Sequence, residues 1–241
     1  MVAVSLLAVI IVDLLAMFYQ VQRAFRAGTA QADILEGGRA TMNLVTRDLQ
    51  EMTACHFTNV FNCLIRPSRD MNRQALGPSF QDLPTGSRRT NWFQDIAFLS
   101  RNNDKWFATS YRIAYGDNGV GTLYRMVGDT NRQTLVQSNF VVIDNLAFEA
   151  SRFFQDNSNS YNRVVDGVVS FDVRPLDTNG LPFPNMDLSG PASSNPQYRW
   201  KPNVIVDHAN GLFVFSSDAT PAYLDVELAI LEPSALTRFR V

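Results

Sequence analysis

Residues 2–25 read VAVSLLAVIIVDLLAMFYQVQRAF, and this stretch divides the chain into a rod and a head. Val2 to Tyr19 is almost wholly apolar, and a polar helical pattern continues without a break to about Met52. A transmembrane helix needs roughly 20 apolar residues, so the run predicts a single membrane-spanning helix. A cleaved signal peptide is the alternative, but no Lys or Arg precedes the run and the helical pattern continues past it.

Asp13 lies in the middle of this apolar run. A carboxylate at the centre of a bilayer costs about 3 kcal/mol on insertion scales. One interpretation is that Asp13 pairs with a neighbouring subunit when helices bundle, which makes it the candidate assembly residue of the helix. The other is that Asp13 is tolerated, protonated or hydrated in place.

From Ala24 onward the helical pattern becomes amphipathic. Apolar residues and one glycine recur at steps of three or four, which predicts one helical face packed on a sheet. Gly38 on this face indicates a close approach of backbones, or a kink formed with Gly37. Charged residues, Asp48 among them, are predicted to lie mostly on other faces. The residues predicted to pack are Ile34, Gly38, Met42, Val45, Leu49 and Met52.

The rest of the chain alternates turn formers with short strand patterns. Residues 53–92 are rich in turn formers and are predicted to be irregular. Asn118-Gly119 predicts a hairpin, because this pair favours the positive φ of tight turns. The predicted strands are Asp95–Ser100, Trp106–Tyr115, Thr122–Val127, Asn139–Phe148, Val164–Arg174, Leu212–Ser216 and Tyr223–Leu231.

These elements predict an α+β class, in which one long N-terminal helix packs on an antiparallel β-sheet head. Three segments follow from the pattern. Residues 1–22 form the transmembrane half of the helix, 23–53 its amphipathic half, and 54–241 the globular β-rich head.

Cys55 and Cys63 are the only cysteines and lie eight residues apart. Outside the cytoplasm they could close a short loop as a disulfide, which would add roughly 2–3 kcal/mol of stability. The alternative is two buried thiols without a bond between them.

The sequence offers little for catalysis or nucleic-acid binding. The net charge is −2 and no basic block occurs, which argues against a nucleic-acid partner. No nucleophile elbow, phosphate-binding loop, dinucleotide fingerprint or His-rich metal motif is present. We therefore predict no enzyme activity, no catalytic residue, no cofactor and no small-molecule substrate. Loop carboxylates leave calcium as a weaker alternative to simple turn residues, namely Asp117, Asp129, Asp156 and Asp177.

Residues Met1-Val-Ala-Val-Ser-Leu-Leu-Ala-Val-Ile10, followed by QVQRAFRAGTAQADILEGGRATMNLVTRDLQ over 20–50, resemble the N-terminal helix of type IV pilin-like proteins. The resemblance is to the large minor pseudopilins of type II secretion (the J type) and to W-type minor pilins. A weaker likeness lies in AYLDVELAILEPSALTRFR, residues 222–240. The family's cleavage-site Gly, aromatic first residue and fifth-position Glu are absent, so we expect an incomplete N-terminus.

The resemblance implies a pilin-like fold and a structural minor subunit of a bacterial type II secretion pseudopilus or type IV pilus. Such a subunit assembles through its N-terminal helix, so the resemblance makes residues 1–22 the polymerisation half of the helix as well. A J-type subunit lies at the filament tip. The implied partners are other pilin-like subunits, and inner-membrane lipid before assembly, with the head in the periplasm or on an extracellular filament. The alternative is a membrane-tethered periplasmic binding or adhesin module unrelated to filaments.

Overall fold

A computed structural model describes residues 2–55, 61–68, 79–82, 86–103, 105–115, 119–130, 161–183, 204–207 and 211–231. These residues form one helix, α1 (Val2–Gln50), and ten strands. The strands are β1 (Phe61–Pro67), β2 (Ser79–Asp82), β3 (Arg88–Asn91), β4 (Gln94–Asn102), β5 (Lys105–Tyr115), β6 (Gly121–Thr130), β7 (Asn162–Leu176), β8 (Val204–Asp207), β9 (Leu212–Ser216) and β10 (Tyr223–Ile230).

Eight strands form one sheet in the order β10-β7-β6-β5-β4-β1-β9-β8. Every neighbouring pair in that sheet is antiparallel. The edges are therefore β10 and β8, while β1 lies between β4 and β9 in the interior. Strands β2 and β3 form a separate two-stranded sheet.

The large sheet is strongly curled. Strands β4 and β7 are separated by β5 and β6 in the sheet order, yet the two come together at one end. There the Phe171 amide donates to the Trp92 carbonyl at 3.0 Å, and the Val173 amide donates to Gln94 Oε1 at 2.6 Å. Twist accumulated over neighbouring strands brings distant strands together in this way.

The predicted class is wrong. The described residues form one helix and one large, curled antiparallel sheet, so the molecule is mostly β and does not have a pilin-like α+β fold. The sequence pattern predicts the helix but not the full extent of the sheet. In the structure only the second half of α1 packs on the sheet, and strands appear where irregular chain was expected.

Most predicted strands are confirmed within a few residues, as β4, β5, β6, β7, β9 and β10. The predicted hairpin is confirmed too, since β5 pairs with β6 and Gly119 has a φ of 70°. The predicted strand Asn139–Phe148 lies outside the described residues.

Strand β1 falls inside the segment predicted to be irregular. All residues from Phe61 to Arg66 are buried, which shows that both faces of the strand are covered. Such a strand lacks the alternation of apolar and polar residues that marks a half-exposed strand. Flanking turn formers then dominate the pattern, and the strand is missed.

The core lies between α1 and the face of the sheet that carries Tyr111. Residues from both ends of the curled sheet meet there, including Phe171 on β7 and Phe215 on β9. Val45 is the residue of α1 that enters this core, with none of its surface exposed. The second half of the helix is therefore part of the head's packing.

Candidate functional site

The first half of α1 presents a continuous apolar surface to solvent. Large apolar side chains on it are 47–72 % exposed. On a typical folded protein, exposed apolar side chains occur singly and are scattered over the surface. A contiguous apolar surface usually marks a site of interaction with protein or lipid. The residues are Leu7, Val9, Ile10, Ile11, Val12, Leu14, Leu15, Met17, Phe18, Tyr19, Val21 and Phe25.

Asp13 is exposed in the middle of this apolar surface. It forms no ion pair or hydrogen bond with any other described residue. In the described part of the chain, no helix combines enough length and enough apolar character to cross a membrane.

The second half of α1 packs on the sheet along a line of buried residues. Thr41, Val45 and Asp48 are each less than 5 % exposed, and their spacing of four and three residues places them on one helical face. Of the predicted packing residues, Leu49 and Met52 lie against the core beside Val45. The other three, Ile34, Gly38 and Met42, are half-buried.

Asp48 joins the helix to the sheet through two short hydrogen bonds. The Tyr111 hydroxyl donates to Asp48 Oδ2 at 2.6 Å, and Arg125 Nε donates to the same oxygen at 2.6 Å. Tyr111 and Arg125 are directly opposite each other on β5 and β6. Burial, together with the hydrogen bond to Asp48, raises the pKa of Tyr111 above its ordinary value of 10.0.

This contact fixes both the rotation of α1 about its own axis and its position along that axis relative to the sheet. The Asp48 side chain is 5 % exposed and that of Arg125 is 27 % exposed, so the ion pair is largely shielded from water. Charge-assisted hydrogen bonds of this kind are short and strong. A shift of the helix by one turn would leave all three groups without their partners.

The prediction that Asp48 lies away from the packed face is wrong. Its position three residues after Val45 and four before Met52 is the available signal, because that spacing places it on the packed face. The prediction rested on the polarity of the Asp48 side chain alone, which favours exposure to solvent. The donors that satisfy it come from strands more than sixty residues further along the chain, which no local pattern reveals.

Gly38 is not a site of close backbone approach. A Cβ built at Gly38 would meet Ile230 Cδ1 at 3.6 Å, an ordinary van der Waals distance. The helix continues without interruption through Gly37 and Gly38, and the alternative of a kink at these two residues stays a prediction.

Cys55 and Cys63 are both fully buried, and no disulfide joins them. The structure thus places them as two buried thiols, as in the alternative, and the disulfide stays a prediction. The Cys55 amide donates to Asn62 Oδ1 at 2.8 Å, which holds the chain after the helix against β1. Burial raises the pKa of the Cys63 thiol well above its ordinary value, so it is a poor nucleophile.

A second buried polar cluster lies on the sheet face opposite α1, around Asp95. Arg66 on β1 and Asp95 on β4 are cross-strand neighbours, with Arg66 NH2 3.7 Å from Asp95 Oδ2. Asp95 Oδ1 accepts a long 3.3 Å hydrogen bond from the Ile113 amide. Burial raises the pKa of Asp95 to about 6, although Arg66 and Arg112 oppose the shift.

Two open grooves separate α1 from the edge strand β10. The first, of about 580 Å³, lies between Met42–Met52 of the helix and Thr220–Val226. The second, of about 450 Å³, lies between Ile34–Asn43 and the end of β10 at Leu228 and Ile230.

Metal ligands do not cluster in the part of the chain that the structure describes, where no group of three Asp, Glu, His or Cys residues is found. Of the four loop carboxylates, Asp177 closes a local turn, accepting hydrogen bonds from the Asn179 and Leu181 amides at 2.8 Å each. Those amides lower the pKa of Asp177. Asp117, Asp156 and the side chain of Asp129 lie outside the described residues, so the calcium alternative stays a prediction.

Comparison of the chain with protein-family models, with curated proteins and with solved structures finds no match.

Proposed function

We propose that the protein is a structural subunit that assembles with other subunits through the apolar first half of α1. The proposed assembly is a bacterial type II secretion pseudopilus or type IV pilus, with this chain as a minor subunit at the tip. One observation carries the proposal. The helix continues without a break from the packed head into a surface whose large apolar side chains are 47–72 % exposed.

The apolar surface supplies the driving force for assembly. Burying a Leu, Ile or Phe side chain is favourable by about 1.5–3 kcal/mol relative to leaving it in water. Twelve large apolar side chains are exposed between Leu7 and Phe25. A surface of this size favours burial against neighbouring helices or lipid much more than exposure, and neighbouring helices would also supply a partner for Asp13.

The second half of the helix transmits the assembled position to the head. Val45 is in the core, and Asp48 is held by Tyr111 and Arg125. Because these contacts fix α1 on the sheet, docking the first half of the helix also sets the orientation of the head. A subunit that presents its head at a defined angle on a filament needs such a coupling.

The proposed partners are other pilin-like subunits, with inner-membrane lipid in contact with the apolar half before assembly. The head would face the periplasm or lie on an extracellular filament. The sequence resemblance over residues 1–52 supports this location, while the exposed apolar surface supports helix–helix assembly directly.

The test is co-purification of the full chain with pilin-like subunits, in the wild type and in Leu14→Lys. Leu14 is 61 % exposed on the apolar half of α1. A charge there would have to be buried at the assembled interface, so we expect recovery of partners to fall at least tenfold. Leu181→Lys is the matched control, since Leu181 is 60 % exposed in the head and outside the helix.

Equal recovery with Leu14→Lys and Leu181→Lys would contradict assembly through the helix. Failure of the wild-type chain to recover any pilin-like subunit would instead favour the alternative of a tethered binding or adhesin module. Thermal unfolding of both variants checks that the head is intact.

A further inference from the structure

Tyr19, Arg23 and Arg26 lie on one face of α1, at the end of its most apolar stretch. Arg23 follows Tyr19 by four residues and Arg26 follows Arg23 by three, and residues at these spacings share a helical face. All three side chains are exposed. The same spacing continues this face back through Leu15 and Val12, which are 47 % and 63 % exposed.

Along this face the side chains change in a fixed order. Apolar side chains come first, then an aromatic ring with a hydroxyl, Tyr19, and then two guanidinium groups. A bilayer has the same order along its normal, from hydrocarbon through an interface rich in Tyr and Trp to the charged headgroups. The face therefore matches the depth profile of one leaflet.

The axial distances fit this profile. At 1.5 Å per residue, Arg23 lies about 6 Å beyond Tyr19 along the helix axis and Arg26 about 10 Å beyond it. The headgroup region on each side of a bilayer is about 5–8 Å thick. Side chains of a helix tilt toward its N-terminus, and an arginine can extend its charged end to the headgroups. With Tyr19 at the interface, both guanidinium groups therefore reach the level of the lipid phosphates.

The charge on this part of α1 has one sign. Residues 14–32 contain two arginines and no acidic residue, which gives this segment a charge of +2. The acidic residues on either side are at other depths, since Asp13 is about 9 Å before Tyr19 and Asp33 about 21 Å beyond it. Positive charge is therefore concentrated at the level of the headgroups.

We propose that Tyr19, Arg23 and Arg26 bind the headgroup layer of a membrane rich in anionic lipids, with the adjoining apolar side chains in its hydrocarbon. The inference rests on the proposed function, which places the apolar half of α1 in lipid before assembly, and it names the class of lipid. An acidic surface on another protein would match the arginines alone. The order from apolar through aromatic to basic side chains favours lipid.

The experiment is flotation of the full chain with vesicles of phosphatidylglycerol and, separately, with vesicles of phosphatidylcholine. A basic residue near an anionic surface strengthens binding roughly fivefold. We therefore expect the wild type to bind phosphatidylglycerol at least tenfold more tightly than phosphatidylcholine. The double variant Arg23→Gln, Arg26→Gln should lose most of this difference and keep the wild-type affinity for phosphatidylcholine.

The matched control is Arg39→Gln, Arg47→Gln. It removes two exposed arginines from the second half of the same helix and should keep the wild-type preference for phosphatidylglycerol. Added salt should reduce the preference in the wild type and in the control, because it screens exposed charges. Thermal unfolding checks that the head is intact in both double variants.

Three outcomes would overturn the proposal. One is equal binding of the wild type to the two kinds of vesicle, or no binding to either. Another is the same loss of preference in the Arg39→Gln, Arg47→Gln control. The third is a preference for phosphatidylglycerol that survives in Arg23→Gln, Arg26→Gln.

Recovery of pilin-like subunits in detergent separates this inference from the proposed function. Arg23→Gln, Arg26→Gln should recover partners as the wild type does, and a tenfold loss there would assign the arginines to a protein interface instead. Loss of partner recovery in Leu14→Lys, without any lipid preference in the wild type, would overturn the lipid surface alone. A lipid preference that depends on the arginines, with equal partner recovery in Leu14→Lys and Leu181→Lys, would overturn helix-mediated assembly alone.

Discussion

The two halves of α1 belong to one continuous helix but are in opposite environments. In the first half, Asp13 is surrounded by exposed apolar side chains and has no partner in the described chain. In the second half, Asp48 is 4 % exposed and is held by Tyr111 and Arg125. Each half contains an acidic residue on an otherwise apolar stretch, and only Asp48 has partners among the residues that the structure describes.

The two halves of the helix therefore have different roles. The second half stabilises the head, because its contacts are intramolecular and are lost on unfolding. The first half contributes nothing to the head and exposes apolar surface, which is unfavourable in water. Substitutions in the second half should therefore change stability, and equivalent substitutions in the first half should change association.

The largest effect is expected from Asp48→Ala. The change leaves the buried Tyr111 hydroxyl and Arg125 guanidinium without their acceptor, and breaking a buried pair in this way costs about 3–4 kcal/mol. Asp13→Ala is the matched control on the same helix and should leave the free energy of unfolding unchanged. Urea denaturation of both variants measures the difference, and equal effects would contradict the division of the helix.

The free energy of unfolding should also depend on pH, because Asp95 is buried in the sheet. Asp95 has a pKa of about 6 in the folded chain against an ordinary value of 3.8. Between about pH 4 and pH 6 the folded state thus holds a proton that the unfolded state has lost, so the contribution of Asp95 to stability is greatest below about pH 4 and falls as the pH rises to about 6. The total change is up to about 3 kcal/mol.

Denaturant unfolding between pH 4 and pH 7 measures this dependence, and Asp95→Asn should flatten it. Asp13→Ala should keep the wild-type profile, because Asp13 is outside the head. If Asp95→Asn has the same profile as the wild type, the burial of Asp95 does not control the pH dependence.

A smaller effect is expected from Val45→Ala. Val45 is fully buried among core residues, and removing two methyl groups leaves a cavity that costs about 2 kcal/mol. Val12 is 63 % exposed, so Val12→Ala should change the melting temperature very little. A loss of stability in Val12→Ala similar to that in Val45→Ala would show that the first half also packs within the molecule.

The smallest effect is a gain, from Gly38→Ala. Alanine favours a helix interior over glycine by about 1 kcal/mol. The added Cβ would be 3.6 Å from Ile230 Cδ1, without a clash. A Cβ at Gly28 would meet nothing within 4 Å, and because Gly28 lies outside the packed half, Gly28→Ala should add little to the stability of the head. Thermal unfolding separates the two, and destabilisation by Gly38→Ala would indicate tighter packing there.

The sequence predicts the helix and most strands because their periodicities are local. Residues of α1 that face the sheet recur every three or four positions, and β7 alternates Val169, Phe171 and Val173 with polar residues. Strand β1 is not predicted in this way, because burial on both faces removes the alternation of apolar and polar residues. The fold class was wrong for a related reason, since the strands hidden in apparently irregular chain make the molecule mostly β.

The candidate site was predictable only in part. The apolar half of α1 and Asp13 are evident from composition alone. The role of Asp48 depends on Tyr111 and Arg125, which reach it from other strands. Whether Cys55 and Cys63 form a disulfide depends on how the fold places the two side chains, and their spacing in the sequence does not reveal this.

Hydrogen exchange of the full chain over a dilution series, with and without pilin-like subunits, tests most directly the division of α1 into two functions. We predict that amides 41–50 are protected at every concentration, because they belong to the packed head. Amides 9–25 should exchange quickly in the dilute chain and become protected only when the chain assembles. Strong protection of 9–25 in the dilute single chain, or no added protection on assembly, would contradict the assembly role of the apolar half.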